Sequence, residues 1–239
     1  MIPKIIHYCW FGGKPLPKKY KKYIETWKKY CPDYEIIEWN ENNFDINQNR
    51  FCKEAYEAKK WAFVADYVRL KVLCEYGGIY LDTDIEVCKS FDKILGYDAF
   101  VGFESSDCIS TATIGSEKSG EWITYLLSYY DDKSFFEVDG GVKLITNVII
   151  ITKMTKARYN IIFNNKFQIF GENNALFPFE VFCAKEFGTG RNRKTDNTYT
   201  VHHFSGSWLT PYGKYKQISH QIRHRVKNTI KSYFKNLKS

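Results

Sequence analysis

Hydrophobic and polar positions near the start of the chain alternate between strand-like and helix-like patterns. Helical spacing predicts one helix at 18–30 and another over the whole of 51–76, which ends at Gly77-Gly78. Short apolar segments bounded by polar residues or glycine predict strands at 3–9, 35–39, 79–82 and 99–103. Strands that alternate with helices in this way indicate an α/β domain with an open sheet.

The pattern is weaker after the third predicted strand. We predict a helix at 121–130, and 142–153 fits either a helix or a strand. Residues 171–200 are polar and typical of loops, and neither a repeat nor a linker divides the chain. We therefore predict one domain over 1–211 and a separate element at 212–239.

The separate C-terminal element is predicted to be a basic amphipathic helix. No acidic residue follows Asp196, and apolar side chains recur every four residues at Ile218, Ile222, Val226, Ile230 and Phe234. The apolar stripe either packs on the domain or lies on an anionic membrane surface. Basic charge alone would also suit nucleic acid, but the chain contains no recognisable nucleic-acid-binding module, so we expect no such partner.

Composition indicates the general class of protein and its cellular compartment. Of the 239 residues, 44% are hydrophobic and 26% are charged, with a formal net charge of +8, which is typical of a globular chain. Seven cysteines without a CxxC pair indicate neither a disulfide framework nor a zinc finger. Because we find no signal peptide and no membrane-spanning run, we expect a cytoplasmic protein. The basic tail leaves open a peripheral position on the inner face of the cell membrane.

Ionisable side chains cluster around the third predicted strand and the helix before it. Asp66 and Arg69 are three residues apart on that helix and therefore share a face. Tyr80, Asp82 and Asp84 would all point to one side of an extended strand. Paired carboxylates at a sheet edge can hold a hard divalent cation. Each motif is short, and Asp66 with Arg69 alone would also fit an ordinary ion pair within a helix.

Four segments around these residues resemble family 32 glycosyltransferases, which have a DxD sugar-binding region and include capsular-polysaccharide transferases and Och1-like mannosyltransferases. The segments are IPKIIHYCW at 2–10, ADYVR at 65–69, YGGIYLDTD at 76–84 and HHFSGSW at 202–208. The resemblance implies a GT-A fold, which is a Rossmann-like, open, twisted mixed sheet flanked by helices, here with the basic helical tail.

The resemblance also implies a catalytic and metal-binding centre. Asp66 and Arg69 would hold hydroxyl groups of the transferred sugar, and Asp82 would act with them. Asp84 would bind Mn²⁺ or Mg²⁺ directly, with Asp82 and His203 as further ligands. Neighbouring residues of an extended chain face opposite ways, so only one of the two adjacent histidines can bind. We choose His203 for its spacing from the final tryptophan of the motif.

The same resemblance implies a site for a nucleotide-sugar donor. Trp10 would stack on the base, and Tyr80 with Asp82 would contact the ribose and sugar. Ser207 and Trp208 would lie against the donor near its diphosphate. Relatives often carry Asn where this chain has Thr111, so a sugar or acceptor contact at that position is not expected to carry over.

The function that we expect is a metal-dependent, retaining glycosyltransferase. It would move a hexose from a UDP-sugar to a surface polysaccharide, such as a capsule, or to a lipid-linked oligosaccharide. We find no residue suited to be a covalent nucleophile, so a front-side displacement is the default mechanism. Two alternatives remain, namely a GDP-mannose-dependent mannosyltransferase and a non-catalytic protein that binds nucleotide sugars or glycans.

Overall fold

The computed structural model describes residues 1–137, 141, 145–186 and 189–206, which form an α/β arrangement. Its strands are β1 (Ile5–Cys9), β2 (Glu35–Trp39), β3 (Gly78–Leu81), β4 (Ile85–Val87), β5 (Ala99–Phe103), β6 (Ile109–Ser116), β7 (Gln168–Phe170), β8 (Asn174–Phe177) and β9 (Thr200–His202). Its α-helices are α1 (Lys18–Tyr30), α2 (Arg50–Glu57), α3 (Trp61–Tyr76), α4 (Glu121–Leu127), α5 (Asn147–Arg158) and α6 (Phe179–Phe182).

Most of the strands form one mixed sheet in the order β2-β1-β3-β6-β5-β8-β7. Strand β1 is parallel to β2 and β3, whereas β6 runs antiparallel to β3 and β5. Strands β4 and β9 pair with each other as a separate antiparallel ribbon. The α/β class and the open mixed sheet that the GT-A resemblance implied are confirmed.

Alternation along β3 distributes its side chains between two hydrophobic cores on opposite faces of the sheet. Ile79 and Leu81 pack in the core that contains Trp27 of α1. Tyr80 packs in the other core, which contains the buried face of α3. Because Asp82 follows Tyr80 by two residues, the strand directs its carboxylate toward α3.

The prediction of one continuous helix over 51–76 is wrong. Helix α2 ends at Glu57 and α3 begins at Trp61, and between them Lys59 has a φ of 57°. A positive φ lies outside the helical region, so the helix cannot continue through this residue. The break makes Trp61 the first residue of α3, where its indole lines the pocket described below.

Among the predictions for the second half of the chain, one helix is confirmed and the C-terminal tail is not tested. The helix predicted at 121–130 is confirmed as α4 followed by a 3₁₀ turn at Ser128–Tyr130. The segment 142–153, for which both helix and strand were predicted, contains the start of α5. No helix in the described ranges combines the length and the apolar character needed to cross a membrane. The tail predicted at 212–239 lies outside the described residues.

His7 on β1 is a fully buried, neutral histidine whose two ring nitrogens are both hydrogen-bonded. Its Nε2 donates to the Gly77 carbonyl oxygen at 2.8 Å, and its Nδ1 accepts from Trp39 Nε1 at 3.1 Å. Burial lowers the pKa of His7 to about 4, although the Gly77 carbonyl opposes the shift. The ring therefore links β1, β2 and the start of β3 only while it is neutral.

Acidification from pH 7 to pH 4 is expected to reduce the free energy of unfolding through His7. The unfolded ring is protonated below a pKa of about 6.5, whereas the folded ring stays neutral to about 4, so the loss attributable to His7 is about 3 kcal/mol. Denaturant titrations of the parent and of His7→Gln at both pH values measure it. Equal losses in the two proteins, or an NMR titration of His7 at its ordinary pKa, would contradict the assignment.

Candidate active site

A cavity of about 580 Å³ lies where the carboxyl ends of β1, β3 and β5 meet the start of β6. Ligand sites of open α/β sheets lie at such strand ends. Aromatic and ionisable side chains line it, among them Trp10, Trp61, Phe63, Asp66, Arg69, Asp82, Asp84, Glu104 and His202. The cavity therefore joins several residues predicted from separate segments of the sequence.

The β4–β9 ribbon brings the histidines from the end of the described chain to the DxD segment. In its register Ile85 is opposite His202, and the His203 amide donates to the Asp84 carbonyl oxygen at 3.1 Å. The Asp84 carboxylate accepts a hydrogen bond from the Ser205 amide at 2.6 Å. Backbone pairing thus fixes the distance between residues that are far apart in sequence.

Arg69 occupies the centre of a buried charged array. Its Nη2 lies 3.0 Å from Asp66 Oδ1, and its Nη1 lies 3.3 Å from Asp82 Oδ1. Its Nη1 also donates to the Thr111 carbonyl oxygen at 2.7 Å, and its guanidinium lies 4.5 Å from the Tyr80 ring centroid. The predicted common face of Asp66 and Arg69 is therefore observed, and Thr111 contributes its backbone to the array.

Asp82 is held through one of its two oxygens. Tyr80 Oη donates to Asp82 Oδ1 at 3.1 Å, and Arg69 contacts the same oxygen. Among the described residues, Oδ2 of Asp82 accepts no hydrogen bond. One oxygen thus orients the carboxylate and the other is left for a ligand.

Burial shifts the titration of this array. Burial raises the pKa of Asp66 to about 6, although the neighbouring Arg69 guanidinium opposes the shift. Burial also raises the pKa of the Tyr80 hydroxyl well above its ordinary value. A carboxyl group with a raised pKa in a cleft, beside a fixed guanidinium, is typical of functional sites.

Asp84 and His202 form the second part of the site. Asp84 Oδ1 lies 3.4 Å from His202 Nε2, and donor atoms of Asp82, Asp84 and His202 all lie within 4.8 Å of one another. Burial would raise the pKa of Asp84, but His202 and the Ser205 amide lower it well below its usual range. Burial alone would lower the pKa of His202, but the Asp84 carboxylate raises it well above its usual value.

The structure brings His202, and not the predicted ligand His203, beside Asp82 and Asp84. His203 Nε2 lies 2.9 Å from Glu86 Oε2, and its ring stacks on Tyr23 with centroids 4.5 Å apart. The two histidines do face opposite ways, as alternation predicts. The register of β9 against β4 determines which of them faces Asp84, and the sequence does not contain that information.

The side chains at this point fit a divalent cation. Two carboxylates and an imidazole are ligand types that transition metals accept, and Asp82 presents an oxygen without a hydrogen bond among the described residues. Asp84 is oriented by a backbone amide, so its carboxylate does not need to reorganise. Asp82, Asp84 and His202 would hold the cation.

Aromatic side chains form the wall of the cavity next to β1. Trp10 Nε1 donates to the Lys14 carbonyl oxygen at 2.5 Å, which fixes the indole. Gly12 has a φ of 97°, and a Cβ there would lie 2.8 Å from the Trp61 ring. Glycine is therefore required where the loop after β1 passes Trp61. Ser207 and Trp208 lie outside the described residues, and their roles stay predictions.

Sequence reasoning missed Glu104 and Trp61 as pocket residues. Glu104 immediately follows β5, so its position at the end of a predicted strand was the available signal. Burial raises the pKa of its carboxyl group. His202 opposes this shift, and Asp82 adds to it. Trp61 was hidden inside the continuous helix that the pattern predicted.

The DxD segment lies within a stretch that matches a family model. Residues 17–101 match the model described as "Glycosyltransferase sugar-binding region containing DXD motif". The match covers the DxD segment and the helix before it. The DXD region contributes Asp66, Arg69, Asp82 and Asp84, whereas Trp10 and His202 lie outside it and join the site through the fold.

Relatives with similar sequences align over about half of this chain. Inositol phosphoceramide mannosyltransferase 3 of Schizosaccharomyces pombe is 32% identical over 49% of this chain and 34% of its own length. Mannosyl phosphorylinositol ceramide synthase SUR1 of Saccharomyces cerevisiae is 28% identical over 48% and 31%. The chain thus spans about a third of the length of these relatives. The solved structure titled PaToxG Glycosyltransferase is 20% identical, with a TM-score of 0.49 over 65% of this chain and 68% of that one.

Proposed function

We propose that the protein is a metal-dependent glycosyltransferase that moves a hexose from a nucleotide sugar to a hydroxyl group of an acceptor, with retention of configuration. The observation that carries the proposal is the convergence of Asp82, Asp84 and His202 in one cavity with Trp10 in its wall. The match of the DXD region to a glycosyltransferase family supports it.

Different residues of the pocket would contact the base and the sugar of the donor. Trp10 offers a flat, fixed indole on which a base can stack. Asp66 and Arg69 form a pre-oriented pair of hydrogen-bond acceptor and donor groups that suits sugar hydroxyls. Since Arg69 is 4% exposed, its geometry is set by packing before any donor binds.

Departure of the nucleoside diphosphate creates concentrated negative charge. A divalent cation bound by Asp82, Asp84 and His202 would stabilise that charge as a Lewis acid. Tyr80 and Arg69 hold Asp82, and the Ser205 amide holds Asp84, so the chain keeps both carboxylates oriented throughout. Front-side displacement remains the proposed route to retention.

The donor and acceptor are proposed from chemistry and from the relatives. The sequence analysis favours a UDP-sugar as donor. The relatives are named for mannosyl transfer, which favours the alternative donor, GDP-mannose. Those relatives are named for inositol phosphoceramide, which supports a lipid-linked acceptor rather than a free polysaccharide. A surface polysaccharide such as a capsule stays an alternative acceptor.

Thermal unfolding with Mn²⁺ and either UDP or GDP tests the donor site. A nucleotide at 100 times its dissociation constant should stabilise the folded protein by about 2.7 kcal/mol, because it binds the native state only. We expect stabilisation to require Mn²⁺, and the preferred nucleotide identifies the donor base. No shift with either nucleotide would contradict the proposal. Binding without Mn²⁺-dependent hydrolysis of any nucleotide sugar would favour the non-catalytic alternative.

We also propose a cytoplasmic location with peripheral binding to the inner face of the cell membrane through 212–239. The basic, amphipathic pattern of that segment supports the proposal. Sedimentation with anionic vesicles should recover the full chain but not a variant that ends at residue 211. Equal recovery of both proteins, or no recovery of the full chain, would contradict it.

A further inference from the structure

His202 also belongs to a second group of metal-ligating side chains. Donor atoms of Glu104, Cys183 and His202 lie within 4.8 Å of one another. Cys183 Sγ is 4.0 Å from His202 Nδ1, whereas Nε2 of the same ring faces Asp84. The three residues come from the position after β5, the position after α6 and the end of β9, so three separate elements of the fold bring them together.

The Glu104 carboxylate has no hydrogen bond to any described residue. It lines the cavity beside His202. A partly buried carboxylate that faces a cavity and accepts no hydrogen bond from the described residues is available to a cation or a hydroxyl group. Its position beside a thiol and an imidazole favours a cation.

The donor set differs in kind from the Asp82–Asp84 pair. A thiolate, an imidazole and a carboxylate are the ligands of Zn²⁺, and sulfur selects against hard cations such as Mg²⁺ and Mn²⁺. We propose that Glu104, Cys183 and His202 bind Zn²⁺ or a similar thiophilic cation, and that this binding excludes the cation at Asp82 and Asp84. Water completes the coordination, and the thiol proton is released to solvent.

The exclusion follows from the protonation of one imidazole ring. A neutral imidazole carries one proton, so a cation on Nδ1 leaves that proton on Nε2. Nε2 then donates toward Asp84, from which it is 3.4 Å away, and cannot bind a cation there. Zn²⁺ would therefore inhibit the enzyme by removing one ligand of the catalytic cation. This exclusion rests on the proposed function, whereas the Zn²⁺ site does not.

Cobalt titration tests the site without any substrate. Co²⁺ added to the parent protein should give the near-ultraviolet charge-transfer band of a thiolate ligand. Cys183→Ser should lose the band, while Cys52→Ser, which changes an equally buried thiol in the other core, should keep it. Absence of the band in the parent, or its persistence in Cys183→Ser, would overturn the site.

Glu104→Gln provides a second test if Cys183→Ser does not fold. It should keep the cobalt band but weaken Zn²⁺ binding by at least about tenfold, measured by calorimetry. Unchanged Zn²⁺ affinity in folded Glu104→Gln would remove Glu104 from the site and overturn the proposal as stated.

Competition separates the exclusion from the site itself. Saturating Mn²⁺ should reduce the cobalt–thiolate band of the parent, and Asp84→Asn should abolish that effect of Mn²⁺ while keeping the band. A band that is insensitive to Mn²⁺ in a parent that does bind Mn²⁺ would contradict the exclusion. A parent that binds no Mn²⁺ but shows the band would contradict the proposed function and leave the Zn²⁺ site standing.

Discussion

Asp84→Asn should lower metal-dependent glycosyl transfer by at least about 100-fold, since electrostatic stabilisation of a developing anion commonly contributes that much or more. The amide of Asn can still accept the hydrogen bond from the Ser205 amide, now 2.6 Å from Asp84, so the local backbone should keep its conformation. It carries no negative charge and therefore binds a divalent cation much more weakly. Initial rates of donor hydrolysis and transfer measure the loss.

The control for Asp84→Asn makes the same chemical change far from the pocket. Asp33→Asn removes an exposed carboxylate whose partner is Lys4, with an Oδ2–Nζ distance of 2.5 Å. This variant should keep the parental rate, because exposed ion pairs contribute little to stability. Comparable activity in Asp84→Asn and Asp33→Asn would contradict the assignment of the metal site.

The two adjacent histidines provide a matched pair. His202→Gln should weaken Mn²⁺ binding, because its Nε2 lies among the carboxylate donors. His203→Gln should leave Mn²⁺ binding unchanged, because that ring contacts Glu86 and Tyr23 instead. The reverse result would restore the assignment made from the sequence.

Arg69→Met should reduce the free energy of unfolding by about 3–5 kcal/mol, because it leaves buried carboxylates without their cation. The Arg69 side chain is 5% exposed and contacts both Asp66 and Asp82. It also satisfies the Thr111 carbonyl oxygen, which would lose its charged donor. Methionine keeps an unbranched apolar chain in place of the aliphatic part of Arg69, so the loss reports mainly the missing charge and hydrogen bonds. Denaturant titration measures it.

Arg158→Met is the matched control for Arg69→Met. Arg158 pairs with Glu121 at the surface, where the two side chains are 44% and 57% exposed. Removing that pair should cost about 1 kcal/mol or less. If Arg69→Met were no more destabilising than this control, Arg69 would not hold the array together.

The sequence predicts two faces of the charged array, because each face depends on local periodicity. The 3.6-residue period puts Asp66 and Arg69 on one helix face, and the two-residue period puts Tyr80 and Asp82 on one strand face. Packing α3 on β3 then brings the two faces together, as observed. The contact of Arg69 with the Thr111 carbonyl of β6 was not predictable in this way, because it depends on the packing of β6.

The remaining features of the site depend on information that no local pattern contains. The pairing of β9 with β4 selects His202 over His203. The break before α3 needs a positive φ at Lys59, a residue type that does not signal one. Strand β6 was missed because its sequence, ISTATIGS, is rich in small and polar residues, yet it is buried along its whole length. Tertiary packing determines these three features.

Crystals of the protein grown with Mn²⁺ and the nucleoside diphosphate that stabilises it most would show whether Asp82, Asp84 and His202 hold the cation. The anomalous scattering of manganese should give a peak in contact with carboxylate oxygens of Asp82 and Asp84 and with His202 Nε2, and the diphosphate should lie against it. A nucleotide bound against Trp10 with the manganese peak elsewhere, or with no peak at these three side chains, would rule out the proposed metal site.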